Sequence, residues 1–154
     1  MAYTLDATIW DEEQVILDEL PEKVGIFLWA ATARNLMGDL TEVTVSIDCD
    51  DGETEVALRV AGFQIVAVDP DASIGQDADD TTVLEKNGRL STLLDAVLRL
   101  PPEAPLGASA TTADKGVDLD YGAGLDVWGP GALAAVRSAA ESLQITLREI
   151  PPED

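Results

Sequence analysis

The most regular pattern in the chain is a two-residue alternation. From Thr41 to Asp48, Val43, Val45 and Ile47 fall on one side, and Glu42, Thr44, Ser46 and Asp48 fall on the other. That is the signature of a strand with one buried and one wet face. Asp50-Asp51-Gly52 follows as a turn signal, and Val56, Leu58 and Val60 resume the alternation, so the pattern predicts a β-hairpin. At Gly62 the phase changes, and Phe63 and Ile65 begin a bend or a separate strand.

Helical spacing recurs four times. Trp10, Leu17 and Leu20 share a face, with acids in the first turn, which predicts a short amphipathic helix over Trp10 to Leu20. A second helix, from about Pro21 to Met37, is apolar almost all round between Val24 and Ala33. Such a helix is covered either by its own core or by another chain. In the second case Phe27 and Trp29 are the natural anchors of a homo-oligomer. Leu90, Leu93, Leu94, Val97 and Leu98 mark a third helix, stopped by Pro101-Pro102. Leu133, Val136, Ala140 and Leu143 mark a fourth, opened by Gly129-Pro130-Gly131.

The remaining segments are shorter. Thr81 to Lys86 reads as a short strand or a helical turn. Val117, Leu119 and Tyr121 alternate with Asp118 and Asp120, and Gly122-Ala123-Gly124 turns this strand into Leu125 to Trp128. Gln144 to Ile150 reads as a last strand. Glu103 to Gly116, rich in Ala, Pro, Ser, Thr and Gly, reads as a mobile surface loop, and residues 151–154 as a polar tail. No repeat period or composition shift divides the chain. The order predicts one α+β domain over residues 1–154, a mainly antiparallel sheet with about four helices packed on it.

Charge changes the picture most. Thirty acidic residues stand against nine basic ones, for a net charge of −21 and no histidine at all. A folded chain of this size exposes on the order of 7,500 Å², so evenly spread excess charges would lie about 19 Å apart, beyond the ~8 Å Debye length at physiological salt. Local clusters therefore matter more than the total. Three are visible: Asp48, Asp50, Asp51, Glu53 and Glu55 at the tip of the first hairpin; Asp69, Asp71, Asp77, Asp79 and Asp80 in one loop; and Asp118, Asp120 and Asp126 on the second hairpin. These thirteen carboxylates are the candidate partner-binding residues. Nucleic acid and anionic membranes both require cationic surface, so neither is an expected direct partner.

The chemistry of catalysis finds little footing. Absent histidine removes the commonest general base and metal ligand. Cys49 is the only cysteine, so it has neither a disulfide partner nor a thiolate cluster for zinc. Asp69-Pro70-Asp71-Ala72-Ser73 begins like an EF-hand calcium loop, but Ile74 stands where glycine is needed and Asp80 where glutamate is needed. Gly122 to Trp128 matches one turn of a calcium-binding nonapeptide repeat, and one copy cannot build that solenoid. Trp10, Trp29 and Trp128 sit among apolar neighbours and are expected in the core. No enzyme activity, cofactor or metal is expected.

The first residues lack a signal-peptide pattern and no apolar run is long enough to span a bilayer, so a cytoplasmic location is expected. The function expected is that of a small acidic binding protein that occludes or regulates a basic macromolecular partner, as immunity proteins, antitoxin-like inhibitors and DNA-charge-mimicking viral inhibitors do. One alternative is a structural or assembly subunit of a phage particle or other multi-subunit complex. Another is a halophile protein whose acidity serves solubility only, which the scarcity of lysine (Lys23, Lys86 and Lys115) also suits.

Overall fold

The computed structural model describes residues 3–18, 20, 22–69, 81–101, 104–120 and 124–152, with the backbone alone at 22, 23 and 69. Its elements, in chain order, are β1 (Tyr3–Asp11), β2 (Gln14–Asp18), α1 (Glu22–Met37), β3 (Val43–Cys49), α2 (Gly52–Val60), β4 (Gln64–Asp69), β5 (Thr81–Gly88), α3 (Leu90–Leu98), β6 (Gly107–Thr111), β7 (Gly116–Leu119), β8 (Gly124–Trp128), α4 (Ala132–Ser142) and β9 (Ile145–Ile150). The nine strands form one sheet in the order β4-β5-β3-β6-β7-β8-β2-β1-β9. Every pairing is antiparallel except β1 with β9. The fold is α+β with a mainly antiparallel sheet and four helices, as the residue pattern predicts.

Register explains the core. Across β3, β6, β7, β8 and β2, Val45, Ala110, Val117, Val127 and Val15 are successive partners and all are buried. One row along, Leu84, Ile47, Ala108, Leu119, Leu125, Leu17 and Ala7 pair in turn on the same face. Helices α1, α3 and α4 cover these rows. α1 packs against β6, β7 and β8 beneath it and against α3 and α4 beside it, which is why it is apolar nearly all round. Trp29 is completely buried there, and its indole Nε1 donates to the Val117 carbonyl at 3.0 Å. Residues 43–111 form a strand–helix–strand–strand–helix–strand unit in which β5 lies between the parallel β3 and β4, a split β-α-β arrangement.

Several expectations are corrected. The segment Trp10 to Leu20 is no helix: it holds the turn and return strand of the β1–β2 hairpin. Trp10, Leu17 and Leu20 fit a helical stripe, but Leu5, Ala7, Ile9, Val15 and Leu17 fit two strands better. Asp11 closes the turn by accepting from the Glu13 N–H at 2.7 Å. Trp10 consequently sits at the irregularity between Ile9 and Asp11 and is 51% exposed, outside the core.

The second strand of the predicted Thr41–Val60 hairpin is helix α2. Asp51 caps it, accepting from the Thr54 N–H at 3.2 Å, and Glu53 and Glu55 occupy its first turn where the helix dipole favours them. Asp50-Asp51-Gly52 is thus a helix start rather than a hairpin turn. Residues 103–116, read as a mobile surface loop, contain β6 in the middle of the sheet. Its small inward side chains, Ala108 and Ala110, let α1 approach closely and also hide the strand's hydrophobic signal. Trp29, paired with Phe27 as an oligomer anchor, is inaccessible, whereas Phe27 is exposed.

Candidate acidic interface

The face of the sheet opposite the helices is where the carboxylates gather. Its central row runs Glu85, Ser46, Ser109, Asp118, Asp126, Ile16 and Thr8 across β5, β3, β6, β7, β8, β2 and β1. The next row runs Asn87, Thr44, Thr111, Gly116, Trp128 and Gln14. All of these except Gly116 are partly or fully exposed, so among the described residues no element buries this face. Trp128 lies across Gly116, where a Cβ would come within 2.3 Å of the indole. The glycine gives the ring a flat seat on the outer face.

Asp118 and Asp126 are direct partners across β7 and β8. Like charges in that position repel. Partial burial pushes the Asp118 carboxyl above its ordinary range, and the neighbouring Asp120, Asp126 and Asp48 push it further. Asp126 moves the same way, chiefly through burial and then Asp120, against a hydrogen bond from Gln14 that pulls it down. The Asp126 Oδ1 atom is buried and has no hydrogen-bond partner among the described residues. Asp48 joins the group from β3: its carboxylate lies over Gly107, 3.2 Å from where a Cβ would stand, and continuing the β6–β7 register puts Asp120 on the far side of that glycine.

The thirteen predicted residues therefore divide. Asp48, Asp118, Asp120 and Asp126 come together on one face. Asp51 is a helix cap, and Glu53 and Glu55 belong to the first turn of α2 with Asp50 just ahead of it. Asp69 ends β4, four strands from β7 and so roughly 19 Å away at ordinary strand spacing. Asp71, Asp77, Asp79 and Asp80, and with them the EF-hand-like loop, lie outside the described residues. Pattern reading missed Ser109, Thr111, Gln14 and Trp128 as members of this face. The β3 alternation of Thr44, Ser46 and Asp48 and the alternation of Asp118 and Asp120 in the second hairpin are what signalled it.

Among the described residues, four arginines pair with acids elsewhere. Arg148 pairs with Asp6 at 2.7 Å, Arg89 with Asp39 at 2.8 Å, Arg137 with Glu149 and Arg34 with Asp95. None of these pairs includes Asp118, Asp120 or Asp126. Among the described residues no group of three or more His, Cys, Asp or Glu side chains is arranged to hold a metal ion. Clefts at Arg59–Ile65, at Thr4–Thr8 with Arg148, and at Asp11–Glu13 with Arg137 are lined by neither Asp118 nor Asp126. Cys49, next to Asp48 but on the opposite face, is buried, and burial together with Asp51, Glu55, Asp50 and Asp48 pushes its thiol up to about 11. It is a packing residue in the thiol form rather than a nucleophile.

What the face can do is accept. It offers carboxylates, hydroxyls and the amides of Gln14 and Asn87, with an indole at one side. No family model, no curated protein and no solved structure matches the chain. No helix among the described residues is long and apolar enough to cross a membrane.

Proposed function

We propose that this chain is a small acidic binding protein that occludes a basic macromolecular partner with the uncovered face of its sheet. The observation that carries the reading is the Asp118–Asp126 pair, opposed across two strands, with a buried Asp126 oxygen that has no hydrogen-bond partner among the described residues and with Asp48 and Asp120 beside it. Opposed carboxylates cost a sheet roughly 0.2–1 kcal/mol. An arginine or lysine from a partner would remove that repulsion and add a charge-assisted hydrogen bond, about 1.5–3 kcal/mol. The surplus of negative charge steers such a partner in and makes association fast and salt-sensitive.

The reading is tested by immobilising the protein and challenging it with the soluble proteins of its native host. A basic protein is retained at low salt, released as salt rises to about half-molar, and lost from the Asp118→Asn/Asp126→Asn double variant. Retention indifferent to both salt and the substitutions rules the mechanism out. Because cation binding lowers a carboxyl pKa, retention also weakens as pH falls, beginning above the usual aspartate range since both groups start high. An assembly role draws on a different part of the molecule, the β4 edge.

A further inference from the structure

The two edges of the sheet are built differently. At one end β9 carries Arg148 and Glu149, each held in an ion pair with Asp6 or Arg137, and Pro151-Pro152 follows. Charge and proline are the usual protection against edge-to-edge pairing. At the other end β4 reads Gln64-Ile65-Val66-Ala67-Val68-Asp69. It has no lysine, no proline and no ionisable group before its last residue. Ile65 and Val68 oppose Leu84 and Thr82 on the helix side of the sheet, yet the nine-residue α2 leaves both uncovered. With Val66, and with Val56 and Val60 on α2, they are between 42% and 84% exposed.

We infer that the β4 edge, with α2 above it, is the interface of a reversible homodimer in which two copies join their sheets through antiparallel β4–β4 pairing. The five side chains expose on the order of 400 Å², the scale at which an apolar patch marks an interaction site. With the strand backbone the buried area is roughly 600 Å² per copy, at the low end for a specific interface, which is why the dimer is reversible. Charge selects both occupant and direction. A basic partner is drawn to the carboxylates of the sheet face, whereas β4 carries no ionisable group before Asp69 on a chain of net charge −21. Antiparallel pairing sets the two Asp69 residues at opposite ends of a six-residue strand, about 17 Å apart and about two Debye lengths at physiological salt. Each then faces the Gln64 end of the other copy. A twofold axis perpendicular to the sheet keeps both helix layers on one side and brings α2 towards α2. This inference is independent of the sheet-face reading.

Sedimentation velocity from about 5 to 500 µM in half-molar salt, where long-range repulsion is screened, tests it. The expected result is a concentration-dependent monomer–dimer equilibrium. Val66→Lys and Val68→Lys each weaken it at least tenfold, and Phe27→Lys leaves it unchanged. All three positions are exposed, so the variants keep the wild-type circular dichroism spectrum. Val60→Lys, on the most exposed of the five, weakens the dimer too and serves if either strand variant fails to fold. A monomer throughout the range overturns the inference. So does a dimer that survives both strand substitutions, or one that Phe27→Lys dissolves.

Discussion

Leu125 and Asp126 are neighbours in sequence and opposites in circumstance, as are Val117 with Asp118 and Ile47 with Asp48. The first of each pair lies on the helix side of the sheet with almost no exposure, while the second lies on the face that no described element buries. One side is closed and largely apolar, with Thr32 its one fully buried polar side chain among the described residues. The other is open and acidic, and two of its carboxyls are held above their ordinary range by partial burial and by neighbouring carboxylates, Asp120 acting on both. The difference teaches that the helix side holds the fold, while the open side sets like charges against one another at some cost in stability.

The sharpest way to break this comparison is to substitute on both sides of one strand. Leu125→Ala removes a side chain that is 1% exposed, between Leu119 and Leu17 in the core row. It is expected to cost about 2–5 kcal/mol, lowering Tm by roughly 2–4 °C for each kcal/mol in a chain of this size. Asp126→Asn, one residue on, is expected to leave Tm unchanged or raise it. Urea unfolding of both variants decides the matter. If the two losses were similar, the faces would not be distinct.

A smaller effect separates acids that build structure from acids that meet a partner. Asp51 accepts the Thr54 N–H at the start of α2. Asp51→Ala is expected to cost about 0.5–2 kcal/mol, the usual worth of an N-cap, while retention of a basic partner is unchanged. The measurement is thermal unfolding beside the same capture assay. Loss of capture at full stability would return Asp51 to the interface.

Much of this was legible in the residues and some could not be. The β3 alternation, α1, α3, α4, the β7–β8 hairpin and the last strand follow from periodicity, and so does the α+β class. Three regions of the chain escaped for physical reasons. Trp10, Leu17 and Leu20 keep a helical spacing, and the two-residue spacing of Leu5, Ala7 and Ile9, then Val15 and Leu17, shows as two strands only once the Asp11 turn is known. Val56, Leu58 and Val60 alternate like a strand, yet two of them are exposed on a helix whose cap fixes its start. β6 carries only small residues, so burial demanded little hydrophobicity of it. The candidate site depends on the third of these: without β6 between β3 and β7, nothing in the sequence joins Asp48 to Asp118. Clustering along the chain grouped Asp48 with Asp51 instead, which share neither face nor role.

The finest test concerns the sign of the repulsion itself. Asp118 has a folded pKa raised above 3.8, so the folded state holds its proton more tightly than the unfolded chain. Its contribution is fully present below 3.8 and is lost as pH rises through the raised value. Asp6 and Asp39 run the other way: hydrogen bonds from Arg148 and Arg89 lower them, so their contribution is present above 3.8 and lost as pH falls through the lowered values. Comparing Asp118→Asn with the parent at each pH cancels the latter pair. The variant is expected to be more stable at pH 7 by about 0.2–1 kcal/mol, the worth of one opposed like-charge pair. Near pH 3 the parent carboxyl is protonated and nearly isosteric with the amide, so the gap closes. Chemical unfolding at the two pH values measures this. A variant less stable than the parent at pH 7 would mean that Asp118 already has its cation or donors within the chain, and the open face would have no repulsion left for a partner to relieve.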